Sequence, residues 1–179
     1  INDAVYEYTL NGSYCIGTAS FVDSFSVATQ EVNPRGITFS KSGDKMFIVG
    51  ATNNNQGKVT EYTLTTPWDV STASFVDSFS VQAQEGTPTG IAFSKSGEKM
   101  FVVGSGGDDV NEYTLTTAWD VSSASFVDSF SVKSQEGTPQ DIWFDSSGKT
   151  MFIVGDTGND VNVYMLRQAW NVTSASFVP

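Results

Sequence analysis

Ser20-Phe-Val-Asp-Ser-Phe-Ser-Val27 recurs unchanged at Ser74 to Val81 and at Ser125 to Val132, and its first three residues return at Ser176 to Val178. Phe21, Phe75, Phe126 and Phe177 are therefore 54, 51 and 51 residues apart, the signature of a repeat architecture. The three extra residues of the first interval fall in one place. There Gly50 to Val59 stands opposite Gly104 to Val110, so the length change marks an exposed turn.

Outward from this octapeptide, each period divides into four short apolar segments separated by turn residues, none long enough for an ordinary helix. Segment a is Gly36 to Ser40, Gly90 to Ser94 and Asp141 to Asp145, where Ile and Phe alternate with small or polar residues. After a Ser-Gly turn comes segment b: Met46 to Gly50, Met100 to Gly104 and Met151 to Gly155. Its unbroken apolar run predicts burial on both faces. Segment c is Val5 to Leu10, Val59 to Leu64, Val110 to Leu115 and Val161 to Leu166, and its mixed polarity predicts greater exposure. Segment d is the octapeptide itself. Alternation places Phe75, Asp77, Phe79 and Val81 on one side and a mostly polar set on the other, as on an outer edge.

Four antiparallel strands per 51 residues, with a buried strand inside and a polar edge outside, make the blade of a β-propeller in an all-β chain. Phe93-Ser-Lys-Ser-Gly-Glu-Lys-Met100 followed by Phe-Val-Val-Gly104, and likewise Phe39 to Gly50, resemble the blades of WD-type and related bacterial, lactonase-like propellers. The resemblance covers nearly the whole chain and implies the fold, not a function. Trp68-Asp69 and Trp119-Asp120 lie beyond segment c, and the His of the WD network is missing, which places the chain outside the strict WD family.

The whole of 1–179 reads as a single repeat region: a half blade of c and d at 1–27, blades at 36–81 and 90–132, and a blade with a clipped last strand at 141–179. Roughly three and a half blades cannot close a ring of 4 to 8. Closure is expected from oligomerisation, in the first place a homodimer, or from sequence lying elsewhere in a longer protein. The start at Ile1 reads as a processed or trimmed product, with secretion in keeping.

Composition narrows the chemistry. With 9 Lys plus Arg against 20 Asp plus Glu, the formal charge is −11, which repels nucleic acid. There is no His and only one Cys, so His general bases, His/Cys zinc sites and an intrachain disulfide are excluded. No apolar run approaches the ~20 residues of a membrane-spanning helix.

Three groups of residues are candidates for a site, and no catalytic residue is assigned. The d-to-a loops carry Glu31, Glu85 and Glu136 between Gln and Pro. Either these acids satisfy loop backbone donors, or they ring the channel and bind a cation or a polyhydroxylated ligand. The b-to-c loops place Asp108 and Asp109, and Asp156, Asn159 and Asp160, among glycines, a composition that suits calcium and ordinary tight turns alike. Asn53, Asn54 and Asn55 offer no carboxylate in the first copy. The third group breaks the repeat: Trp143 stands where Ala92 does, flanked by Asp141 and Asp145, and Arg35 and Arg167 are also singular. Asp23, Asp77 and Asp128 are expected to be buried between phenylalanines, and Trp68, Trp119 and Trp170 to pack in the c-to-d turn with Asp69 and Asp120 capping it.

The functional expectation is a non-catalytic extracellular or surface binding module, recognising glycans or another surface through several near-equivalent loops. A self-assembling propeller joined by strand exchange comes second, and a metal-assisted lactonase or lyase third.

Overall fold

The computed structural model describes residues 3–51 and 56–179. Strands β1 (Ala4–Leu10) and β2 (Ala19–Ser26) pair as a two-stranded sheet. Three four-stranded antiparallel blades follow. They are β3 (Pro34–Phe39), β4 (Lys45–Ala51), β5 (Gly57–Leu64) and β6 (Ala73–Ser80); then β7 (Pro88–Phe93), β8 (Lys99–Gly104), β9 (Asp109–Leu115) and β10 (Ala124–Ser131); then β11 (Pro139–Phe144), β12 (Thr150–Gly155), β13 (Val161–Leu166) and β14 (Ala175–Val178). The inner strands β3, β7 and β11 adjoin one another. The chain is an unclosed β-propeller of about three and a half blades.

Cores lie between blades, not within them. Phe47, Val49 and Val59 of the first blade meet Ile91, Met100, Tyr113 and Leu115 of the second, and Phe101, Val103 and Val110 meet the matching set of the third. Strands β4 and β8 are sealed on both faces, with Met46 to Val49 at most 2% exposed and Met100 to Val103 at 0%, whereas Val154 of β12 is 42% exposed.

In β5 and β9 segment c is buried where its polarity predicts exposure, with Val59, Thr60, Glu61 and Tyr62 all inaccessible or nearly so, whereas Tyr8 of β1 and Val161 of β13 are exposed as expected. Glu61 keeps its charge there through specific partners, whereas the Thr60 hydroxyl has none among the described residues. Glu61 receives Lys45 Nζ at 2.5 Å and the Val121 amide at 2.9 Å, and Lys45 also donates to the Trp119 carbonyl at 2.9 Å. Lys99 and Glu112 repeat the arrangement on Trp170 and Val172. Each blade thus clasps the following blade at the 3₁₀ turns Val121–Ser123 and Val172–Ser174. Glu7 holds the Val70 amide in the same way at 3.0 Å.

Bulges in the pairing of β1 with β2, β5 with β6 and β9 with β10 break the simple alternation of segment d. Asp23, Asp77 and Asp128 therefore sit exposed rather than between buried phenylalanines, and each accepts only the amide of the next serine. Trp68, Trp119 and Trp170 adopt left-handed backbone angles, φ 69°, 63° and 61°. Each ring lies on a turn glycine, Gly43, Gly97 or Gly148, whose own φ is positive. Trp119 joins Phe47 and Phe93 in a three-ring cluster, whereas Trp68 has only Phe39 among the described aromatic pairs and stays 54% exposed. Asp69 and Asp120 cap the succeeding turns through the amides of Ser71 and Ser122.

Candidate functional site

The d-to-a and b-to-c loops share one face of the propeller, and Glu85 and Glu136 tie them together. Glu85 is fully buried; its carboxylate accepts the amides of Thr87 at 2.8 Å, Gly106 at 2.9 Å and Gly107 at 3.1 Å. Glu136, equally buried, accepts those of Thr138, Thr157 and Gly158. Burial works against its charge, but the three amides outweigh it and hold the carboxyl below its ordinary value. Glu31 is inaccessible as well and accepts the Asn33 amide at 3.1 Å. There desolvation wins, and its carboxyl is raised. The glutamates therefore face the loop backbone and not a channel.

This geometry also gives the Gly-rich b-to-c loops a polarity opposite to that of a cation cage, because their amides, which are donors, turn inward around a carboxylate. The loop acids diverge. Asp108 pairs with Lys133 at 3.1 Å, Asp156 accepts Gln140 Nε2 at 3.1 Å, and Asp160 accepts Asn162 Nδ2 at 3.0 Å. Asp109 and Asn159 complete the loops, Asn159 with φ 54°. Among the described residues, no three acid, Cys or His side chains come together as metal ligands. The asparagines 53–55 lie outside the described residues.

Two of the repeat-breaking residues do come together. Arg35, Thr89, Gln140 and Asp141, all on the inner strands, line one hollow of about 320 Å³ at the channel mouth. A smaller hollow beside it, about 110 Å³, is walled by Asn33, Arg35, Thr87, Ser105 and Gln140. Arg35 is exposed and donates through Nε to Asn33 at 3.2 Å. Asp141 is open to solvent on one side, yet its carboxyl presses on the backbone at Gly90; desolvation there raises its pKa, partly offset by the Ile142 amide. Trp143 is elsewhere, 61% exposed on the free face of the third blade with Phe152 at 5.5 Å between ring centroids. Asp145 folds back onto Ser147 Oγ and the Thr150 amide, which lower its carboxyl to about 2.

Thr89 and Gln140 are the members of the hollow that sequence reasoning did not single out. Their signal is positional: with Arg35 they occupy the residue after the repeated Pro34, Pro88 and Pro139, where every copy differs.

No family model matches the sequence, and no curated protein matches it. Solved structures do. A periplasmic gluconolactonase of Pseudomonas aeruginosa, PpgL, superposes with a TM-score of 0.63 at 14% identity, over 98% of this chain and 48% of that one. Sqt1 from Chaetomium thermophilum gives 0.56 at 17% identity, over 96% and 40%. The β-propeller domain of Cps50 (Swd1) from Myceliophteria thermophila gives 0.51 at 13%, over 82% and 42%. The chain spans about half the length of the structures it matches. At these identities the likeness is one of fold, and the fold is a propeller of the lactonase and WD kinds. Among the described residues, no helix is long and apolar enough to cross a membrane.

Proposed function

We propose that the protein is a binding propeller whose channel mouth holds a small polyhydroxylated ligand bearing an acid group, of the sugar-acid kind, outside the cell or at its surface. The observation that carries this reading is the gathering of Arg35, Thr89, Gln140 and Asp141 around one hollow, at inner-strand positions where each copy of the repeat differs. A fold needs only the consensus residues. Arg35 supplies a fixed positive charge with several donors for an acid group, while Asp141 and Gln140 offer acceptors and a donor for hydroxyls. Recognition through Glu85 and Glu136 has less support, since both oxygens of each carboxylate accept loop amides. Calcium has no converging carboxylates to support it among the described residues.

The test is calorimetric titration with gluconate and glucuronate, alongside a glycan array. Arg35→Ala is expected to weaken binding of the acid at least tenfold and Asp141→Asn less, with no dependence on calcium or EDTA. Absence of binding to any sugar acid or glycan rejects the reading.

Hydrolysis of a sugar lactone is the second reading. The gluconolactonase among the fold neighbours favours it, as does the presence in the hollow of Asp141, a carboxyl that desolvation raises. Turnover of glucono-δ-lactone above the spontaneous rate, lost in Asp141→Asn, would select it over simple binding.

A further inference from the structure

The outer strand of each blade is exposed, and it is also the part of the repeat that varies least. Ser20 to Val27, Ser74 to Val81 and Ser125 to Val132 are identical at every position. The inner strands are not: Arg35, Thr89 and Gln140 differ, and so do Thr38, Ala92 and Trp143. Even the buried Thr60 of β5 becomes Asn111 in β9. Packing restricts the buried positions of a repeat and leaves its exposed ones free to drift, so the reverse pattern implies a constraint that packing does not supply.

The fold itself accounts for the last part of the octapeptide. Val81 and Val132 are fully buried, and Phe79 and Phe130 meet Tyr113 and Tyr164 edge to face, with ring centroids 5.6 and 5.5 Å apart. It does not account for the rest. Phe75 and Phe126 lean on Tyr62 and Tyr113 yet stay 47% and 43% exposed, and Val76 and Val127 are 48% and 50% exposed. Asp77 and Asp128 are exposed beside them. Strands β6 and β10 pair on one side only, with β5 and β9, so their outward N–H and C=O groups have no ladder partner. These edges point away from the channel that the inner strands line. Neighbouring blades pack on the faces of the sheets and leave the edges uncovered.

We propose that the outer edges of the blades are docking strands for an extended segment of a partner protein in which apolar residues flank a Lys or Arg. The incoming segment continues the sheet through main-chain hydrogen bonds, covers Phe75 and Val76 with its apolar side chains, and brings its cation to Asp77. Charge selects this occupant. Asp77 and Asp128 each accept only the amide of the next serine, through one oxygen, and no cation meets them among the described residues. The octapeptide holds no Lys or Arg, and the chain as a whole carries −11. A second copy pairing through the same octapeptide would bring two uncompensated acids to one joint, which a basic segment avoids. Equivalent edges on successive blades give avidity to a partner that carries several such segments.

The probe is a labelled peptide of about ten residues, alternating Val and Thr with Lys at its centre, beside the same peptide with Glu in place of the Lys. In fluorescence anisotropy the 179-residue chain is expected to bind the Lys peptide at least tenfold more tightly than the Glu peptide, and less tightly as salt rises. The combined substitution Asp23→Lys, Asp77→Lys and Asp128→Lys alters exposed side chains, and circular dichroism should show the variant folded. Its preference between the two peptides is expected to reverse. Amide hydrogen exchange of the unsubstituted chain should slow within 73–80 and 124–131 when the Lys peptide is bound. Binding of neither peptide, equal binding of both, a preference that survives the triple substitution, protection confined to other strands, or chains that pair edge to edge with one another would overturn the proposal.

Discussion

Four donors converge on the Glu85 carboxylate, the amides of Thr87, Gly106 and Gly107 and the Thr87 hydroxyl, which also lies 3.1 Å from Ser105 Oγ. Replacing this acid by Gln turns an amide N–H toward backbone N–H groups. Glu85→Gln is expected to cost about 1–3 kcal/mol in urea unfolding, the range for leaving buried donors unpaired. Glu136 and Glu31 give opposite pH responses at equivalent positions. Because the folded-state pKa of Glu136 is depressed, its stabilisation is present above its ordinary value of 4.5 and is lost as pH falls through the lowered one. Glu31 is raised, so its contribution is present below 4.5 and is lost as pH rises through the raised value. Melting temperature against pH should show Glu136→Gln with a flattened acid limb, and Glu31→Gln with a gain toward neutrality. The sequence displayed the three glutamates as equals. The amides that reach Glu85 and Glu136 come from loops 21 and 22 residues downstream, and residue order does not show that approach.

At the scale of strands and turns, the seam between blades is fastened by residues that are repeated together and lost together. Lys99 keeps 32% of its surface in water while Glu112 keeps 3%, so removing the lysine alone strands a buried carboxylate. Lys99→Thr is expected to destabilise by about 3 kcal/mol, near the low end for breaking a buried pair. The double change Lys99→Thr with Glu112→Val, which copies Thr150 and Val163, should cost less, as chemical denaturation of the three proteins would show. Gly97→Ala meets both a left-handed φ of 76° and the Trp119 ring, and should cost at least about 1–2 kcal/mol. Strand positions were legible because turn residues bracket short apolar runs. Segment c misled, since Glu61 reads as a surface residue until the partner that neutralises it, 16 residues upstream, and the turn that it holds, 60 residues downstream, are seen in space. The bulges in segment d were equally hidden, because an octapeptide with regular alternation carries no mark of the residue that drops out of register.

For the molecule as a whole, the period alone was enough to deduce blades, their number and the open ends. The meeting of Arg35 with Asp141 was not, because those residues lie two blades apart and are joined only by the curvature of the inner strands. Fastening is also uneven along the array. The Val121 and Val172 amides are bound by carboxylates that a lysine neutralises, whereas the Val70 amide depends on Glu7, which no lysine meets among the described residues. Hydrogen exchange should therefore be faster at Val70 than at the other two, with equal rates counting against unequal fastening.

Every clasp points the same way, from a blade to its successor, as overlapping roof tiles do. Such an array has a mechanical direction. Pulled from its C-terminal end, the last blade has one clasp to break and carries none of its own, so tension peels the sheets away in sequence. Traction on the other end first tests the weakest fastening, at Glu7, and detaches the half blade before any lysine is engaged.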